Sequence, residues 1–143
     1  MIKCRILILD DDPYYQGAAN SIIKSDDEFE AICPNCFEVV SGINDDLGAY
    51  LTKIIEDKKP DVILTDIMYG CSPKLMHAGL EVAKFVKEHY PNIPVIGMSS
   101  GGCSQSRIQS SGIFKLLHKM WISKELIPTI KECLKNVSLE GKG

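Results

Sequence analysis

The chain has 143 residues, the length of one domain, and its 45% hydrophobic and 24% charged residues are typical of a protein with a packed core. This composition argues against intrinsic disorder, and a formal charge of -3 has the wrong sign for a surface that neutralises nucleic-acid phosphates. We therefore expect a single soluble domain that does not bind nucleic acid directly.

Five short strands are predicted in chain order, at residues 6–9, 29–32, 62–64, 95–98 and 113–117. Four of these runs are mainly apolar and lack polar alternation, which predicts strands that are covered on both faces, as in a parallel sheet. The run at 29–32 includes a charged residue and is predicted to be an edge strand.

Five helices are predicted between and after the strands, at residues 13–24, around 47–55 and 80–90, within 101–111, and at 123–137. Asp12 is the expected N-cap of the first helix, because Pro13 suits the first helical position. Ser123 is the expected N-cap of the last one. The alternation of strands and helices specifies an α/β layer sandwich with right-handed crossovers.

Chemically reactive side chains follow four of the strands. They are Asp10 and Asp11 after the first, Asp66 after the third, Ser99 after the fourth and Lys119 after the fifth. In an open α/β sheet the ligand lies beyond the carboxyl ends of the strands, so these residues are expected to meet there. Carboxylates at about 5 Å repel each other by roughly 3 kcal/mol per pair, so the cluster needs cations. Lys119 supplies one cation. The other is expected to be Mg²⁺, an ion that binds carboxylates, a carbonyl and water molecules.

This arrangement resembles the receiver domain of two-component response regulators over residues 3–137. The resemblance rests on Ile6-Leu-Ile-Leu-Asp-Asp-Asp-Pro13, Asp61-Val-Ile-Leu-Thr-Asp-Ile-Met68, Pro94-Val-Ile-Gly-Met-Ser-Ser100 and Lys119. It implies a flavodoxin-like, three-layer α/β/α sandwich whose five-stranded parallel sheet has the order 2-1-3-4-5.

The resemblance also implies a role for each residue at the sheet edge. Asp66 would accept a phosphoryl group from a phosphohistidine on a sensor histidine kinase or phosphotransfer protein. Ser99 and Lys119 would contact phosphoryl oxygens. The Mg²⁺ ligands would be Asp10, Asp11, Asp66 and the backbone carbonyl of Met68. Self-phosphorylation and self-dephosphorylation at Asp66 would be the only enzymatic reactions.

The first departure from the family pattern is a longer stretch between Asp66 and Gly79, in which residues 69–78 look inserted. One interpretation is a lid or partner-contact surface beside Asp66, and the other is a tolerated surface insertion.

Three single residues also depart from the pattern. Met120 replaces the proline that usually follows Lys119, so the backbone either stores strain there or holds the lysine by another route. Leu116 stands where an aromatic switch residue is common, which predicts a different or weaker conformational output. Met68 has an apolar side chain that cannot orient a water molecule, which predicts a long-lived phosphoryl group on Asp66.

Two other functions fit parts of the sequence. A pseudo-receiver would keep the fold for binding without phosphorylation, which Met120 and Leu116 favour. A haloacid-dehalogenase-type phosphatase would use the Asp10-x-Asp12 motif, but the acidic metal ligands that such enzymes carry late in the chain are absent. Cys33 and Cys36 have the spacing of a redox or half-zinc motif, but they lack a second pair and are interpreted as small apolar residues.

The predicted receiver domain covers residues 1–137, and residues 138–143 would form a short tail with no output domain. A signal would then leave by a conformational switch that acts on an unknown downstream protein, with a homodimer left open. No signal peptide is recognised, since the first apolar run stops at Asp10, so a cytoplasmic location is expected. No apolar stretch approaches the roughly 18 residues of a membrane span, so no membrane insertion is expected.

Overall fold

The computed structural model describes residues 3–69, 75–101 and 105–141, with only the backbone described at 105 and 138–141. Five parallel strands form one sheet: β1 Cys4–Leu9, β2 Phe29–Ile32, β3 Val62–Asp66, β4 Val95–Ser99 and β5 Lys115–His118. Their spatial order is β2-β1-β3-β4-β5, with β2 at one edge, as predicted for a flavodoxin-like sheet. The register pairs Leu9 with Thr65 and Ser99 with His118, so the carboxyl ends of the strands lie side by side.

Five α-helices cover the sheet in the described part of the chain: α1 Pro13–Lys24, α2 Cys36–Lys58, α3 Ala78–His89, α4 Gln105–Ser111 and α5 Ile122–Gly141. Successive side chains of a strand point to opposite faces, so β1 supplies both layers of the core. Ile6 and Ile8 pack with α1 and α5, whereas Leu7 and Leu9 pack with α2 and α3. The predicted three-layer sandwich is therefore confirmed.

Helix α1 begins where the sequence predicts. The Asp12 carboxylate accepts a hydrogen bond of 2.9 Å from the Tyr14 N–H, and Pro13 is the first helical residue. The N-cap prediction for Asp12 is confirmed. Helix α4 has seven residues and lies within the predicted range 101–111.

Helix α2 begins earlier than the sequence predicts. Its residues before Leu47 were not recognised as helical, yet Asn35 caps them by accepting hydrogen bonds from the Phe37 and Glu38 N–H groups. The helix is kinked at Asp46, whose φ of -157° and ψ of 94° are not helical. The Asp46 side chain accepts a hydrogen bond from the Ala49 N–H and so caps the second half of the helix.

Helix α5 contradicts the N-cap predicted for Ser123. The helix begins at Ile122 and follows directly on a 3₁₀ turn, Lys119–Trp121, so Ser123 lies inside it. The cap of the turn is His118, whose Nδ1 accepts a hydrogen bond of 3.0 Å from the Met120 N–H. The helix continues to Gly141, beyond the predicted end at Val137. Among the helices described, none has the length and apolar character needed to cross a membrane.

Candidate functional site

Three carboxylates meet at the carboxyl edge of the sheet. Asp10 and Asp11 follow β1, Asp66 ends β3, and one carboxylate oxygen of each lies within 4.8 Å of the others. Asp10 is 0% exposed and Asp66 is 4% exposed. The sequence therefore predicted correctly that these residues lie together, because the carboxyl ends of neighbouring parallel strands are adjacent.

The β1–α1 turn aims the Asp10 side chain. The Asp12 N–H donates a hydrogen bond of 2.9 Å to Asp10 Oδ1, while the side chain of Asp12 caps α1. The second oxygen, Asp10 Oδ2, is buried and accepts no hydrogen bond from the residues that the structure describes. A buried carboxylate oxygen without a hydrogen bond costs free energy unless a cation lies beside it.

Lys119 supplies part of the positive charge that the cluster needs. Its Nζ lies 3.2 Å from Asp66 Oδ2 and 3.4 Å from Asp10 Oδ2, and only 8% of the residue is exposed. The ammonium also lies 4.2 Å from the centre of the Tyr15 ring, a cation–π contact. The 3₁₀ turn capped by His118 is the backbone route that places Lys119 without the usual proline. Neither Tyr15 nor His118 was recognised from the sequence.

The pKa values show that one lysine does not balance the cluster. Burial, with the neighbouring Asp10 carboxylate, raises the pKa of Asp66 to about 8. Burial also raises the pKa of Asp10 to about 6, although the Asp12 N–H and Lys119 oppose the shift. Burial alone would lower the pKa of Lys119, but Asp66 and Asp10 outweigh it and the pKa is raised. The donor set and its excess of negative charge fit a hard divalent cation.

Ser99 lies at the end of the neighbouring strand. It is 3% exposed, and its hydroxyl hydrogen-bonds with the backbone of Gly101, accepting from the N–H at 3.0 Å. Ser99 follows Met98, the register partner of Asp66, so the hydroxyl stands at the same edge as the carboxylates.

Met68 lies two residues after Asp66, and its N–H donates a long hydrogen bond of 3.4 Å to Asp66 Oδ1. The Met68 side chain is 40% exposed at this edge. No polar side chain therefore stands at this position beside the carboxylate.

Gly79 holds the start of α3 against the strand that carries Asp66. A Cβ at this position would collide with the backbone carbonyl of Asp66, and the Gly79 N–H hydrogen-bonds to the Ile67 carbonyl at 3.0 Å. Only glycine allows so close an approach of the two backbones.

The stretch that looks inserted is attached to the core on both sides of residues 70–74. Tyr69 and Leu75 are both buried, and the Tyr69 N–H donates a hydrogen bond of 3.1 Å to the Leu75 carbonyl. Residues 70–74 lie outside the described residues, so the lid and the surface-insertion interpretations of residues 69–78 both stay predictions.

The predicted cysteine motif is split between two environments. Cys33 is exposed and Cys36 is buried, and both are free thiols. Within the described residues, the one group of His, Cys, Asp and Glu side chains that could hold a metal is the carboxylate cluster. Cys71 and Cys103 lie outside the described residues.

The chain matches no protein-family model and no curated protein by sequence. Solved structures do match. The RcsB response regulator of Salmonella typhimurium is 14% identical with a TM-score of 0.72, and the match covers 95% of this chain and 62% of that one. NtrX from Brucella abortus is 21% identical with a TM-score of 0.73, over 99% of this chain and 28% of that one.

A CheY-like receiver domain protein from Methanospirillum hungatei JF-1 is 20% identical with a TM-score of 0.67, and the match covers 97% of this chain and 99% of that one. The chain thus has the length of a receiver domain and spans less than two thirds of RcsB and NtrX. Its fold is that of a response regulator receiver domain.

Proposed function

We propose that the chain is a phosphoacceptor receiver module that takes a phosphoryl group from a phosphohistidine onto Asp66. The observation that carries this proposal is the buried group of Asp10, Asp11 and Asp66 with the ammonium of Lys119 inside it. A carboxylate oxygen of Asp66 would bond to phosphorus as the P–N bond of the donor breaks, and the electron pair returns to the imidazole nitrogen. Positioning and charge neutralisation carry most of such a transfer.

The same residues account for the charges that the reaction handles. Mg²⁺ held by Asp10, Asp11, Asp66 and the Met68 carbonyl would neutralise negative charge on the phosphoryl oxygens. Lys119 is already in contact with Asp66 and would pair with a phosphoryl oxygen. Ser99, at the end of the next strand, would donate a hydrogen bond to another. The apolar Met68 would leave hydrolysis of the acyl phosphate slow.

Exposed apolar side chains around the cluster support a protein as the phosphoryl donor. In the part of the chain that the structure describes, the large apolar side chains that are exposed lie on the turns and first helical residues at this one edge. They are Tyr14, Phe37, Met68, Met76, Met120 and Trp121. Their position along one edge of the sheet supports an interaction with a protein surface. We propose a sensor histidine kinase or a phosphotransfer protein as the donor, and a conformational signal to a downstream protein as the output.

We also propose which residues form the receiver unit and where in the cell it acts. We assign residues 1–137 and the remainder of α5, which continues to Gly141, to the receiver unit, by analogy with the receiver domain of similar length. We place it in the cytoplasm, because thiols stay reduced there and the described cysteines are unpaired.

Beryllofluoride binding tests the proposal without a cognate kinase. Beryllofluoride mimics the phosphoryl group, and Trp121, the single tryptophan, lies two residues from Lys119 and reports binding by its fluorescence. We expect Mg²⁺-dependent binding that is lost in Asp66→Ala and kept in Asp45→Ala, which removes an exposed carboxylate of α2. A wild-type protein that binds Mg²⁺ but not beryllofluoride would favour a pseudo-receiver.

A further inference from the structure

A buried tyrosine outside the acidic cluster connects β1 and β3, the two strands that carry the carboxylates of the cluster. Tyr69 is 0% exposed, and its hydroxyl donates a hydrogen bond of 3.0 Å to the Leu9 carbonyl. The same hydroxyl lies 2.7 Å from Thr65 Oγ1. Thr65 Oγ1 in turn lies 3.0 Å from the Asp66 carbonyl oxygen, which it can reach as a donor. We call this chain of contacts, Leu9–Tyr69–Thr65–Asp66, the tyrosine bridge.

The two ends of the tyrosine bridge are the backbone segments that hold the buried carboxylates. Leu9 directly precedes Asp10, and Thr65 directly precedes Asp66. A peptide unit is planar, so fixing the Leu9 carbonyl also fixes the direction of the Asp10 N–H. Leu9 and Thr65 are register partners on adjacent strands. The bridge therefore fixes how the last residues of β1 and β3 stand relative to each other.

The hydrogens of the bridge make its two halves interdependent. Tyr69 and Thr65 have one hydroxyl hydrogen each, but together they make three contacts. If Tyr69 donates to Leu9, Thr65 donates either to Tyr69 or to the Asp66 carbonyl. Removing the Tyr69 hydroxyl therefore removes the hydrogen bond to Leu9 and a partner of Thr65, whereas removing the Thr65 hydroxyl removes a partner of Tyr69 and the contact with the Asp66 carbonyl.

The phenol itself is held firmly. The Tyr69 ring packs in the core half formed by Leu7, Leu9 and the buried faces of α2 and α3. Its backbone N–H is bound to the carbonyl of Leu75, which is also buried. The hydroxyl can therefore act as a fixed point between two strand ends whose carboxylates repel each other.

We propose that Tyr69 is a positioning residue for the Mg²⁺ site, acting through Thr65 and the Leu9 carbonyl to hold Asp10 and Asp66 at the separation that the ion requires. This inference rests on the proposed function, because it presumes that the carboxylate cluster binds Mg²⁺. Mg²⁺ accepts little deviation from its preferred ligand distances, so a small movement of one strand end weakens binding.

The test measures Mg²⁺ affinity in four proteins: wild type, Tyr69→Phe, Thr65→Val and the double variant. Each substitution removes one hydroxyl and preserves side-chain size. We expect Tyr69→Phe to weaken Mg²⁺ binding about tenfold, the lower end of the effect seen for groups that orient metal ligands. Because the bridge acts as a unit, the double variant is expected to bind as weakly as Tyr69→Phe and no weaker.

Two controls separate positioning from loss of stability. Tyr90→Phe removes the hydroxyl of another tyrosine, which follows the last residue of α3 and hydrogen-bonds to Glu56 on the protein surface. Ile55→Val destabilises the same half of the core without touching a hydroxyl. Both are expected to keep the wild-type Mg²⁺ affinity.

The outcomes distinguish the two proposals. A wild-type protein that does not bind Mg²⁺ would contradict the proposed function itself. If the wild type binds Mg²⁺ and Tyr69→Phe binds it equally well, the positioning role is wrong. Weaker binding in Ile55→Val to the same extent would also overturn it, because stability alone would then explain the effect. If Tyr69→Phe does not fold, Thr65→Val gives the same test from the other end of the bridge.

Discussion

Replacing Asp66 by asparagine should stabilise the metal-free protein at neutral pH. The physical reason is that burial and Asp10 raise the pKa of the Asp66 carboxyl to about 8, against a usual value of 3.8. The folded state therefore holds a proton on Asp66 more tightly than the unfolded state does. The stability that this proton provides is complete below the unfolded pKa and is lost as the pH rises through the folded one.

The size of the effect follows from the number of pH units between the unfolded pKa of Asp66 and neutral pH. Between the usual pKa of 3.8 and pH 7 lie about three units, each worth about 1.4 kcal/mol, so the wild type loses roughly 4 kcal/mol. Asp66→Asn has no proton to lose and is spared this loss, although it gives up the ion pair with Lys119. We expect the variant to gain roughly 2–4 kcal/mol over the wild type as the pH rises from about 4 to about 7.

The assay is urea unfolding, followed by far-ultraviolet circular dichroism in a metal chelator, at both pH values. The matched control is Asp45→Asn, which neutralises an exposed carboxylate of α2 and should show no such gain. The reasoning is refuted if the stability difference between Asp66→Asn and the wild type is the same at both pH values. It is equally refuted if the control gains as much as the variant.

Three further predictions concern single side chains around the site. Tyr15→Leu should weaken beryllofluoride binding about threefold, because it removes a cation–π contact worth about 0.5–1 kcal/mol. Tyr15→Phe and Tyr14→Leu should leave beryllofluoride binding unchanged. Weaker binding in Tyr15→Phe would point to the hydroxyl instead. Gly79→Ala should lower the free energy of unfolding by about 1–3 kcal/mol, because its Cβ meets backbone atoms. Gly17→Ala should not lower the free energy of unfolding, because the space around Gly17 is open. Equal effects of the two substitutions in urea unfolding would contradict this prediction. Met68→Asn should speed hydrolysis of the acyl phosphate by giving an attacking water a hydrogen-bond partner, and an unchanged decay rate by mass spectrometry would count against it.

The start of α1 and the meeting of the carboxylates were predicted correctly from the sequence. The helix that begins at Pro13 was placed correctly because its cap, Asp12, makes its hydrogen bond two residues away. The meeting of Asp10, Asp11 and Asp66 also followed from the sequence, since the carboxyl ends of parallel strands share an edge.

The wrong and missing predictions have two causes: competing local structure, and contacts between residues that are distant in sequence. Ser123 is a good N-cap residue, but His118 caps a 3₁₀ turn that runs directly into α5, so no helix start remained at Ser123. The first half of α2 was missed because its helical pattern is broken at Asp46. Tyr69 was not recognised because its hydroxyl acts on the Leu9 carbonyl, sixty residues earlier in the chain, and no local pattern encodes such a contact.

The most direct test of the account is the intact mass of the protein after incubation with Mg²⁺ and a small phosphoryl donor such as phosphoramidate. The account predicts that the wild type gains one phosphoryl group, that a chelator prevents the gain, and that Asp66→Asn gains none. Peptide mapping after borohydride reduction should then place the modification at Asp66. A wild type that binds Mg²⁺ yet gains no phosphoryl group, or an Asp66→Asn variant that is modified as fully as the wild type, would contradict the claim that Asp66 is the phosphoacceptor.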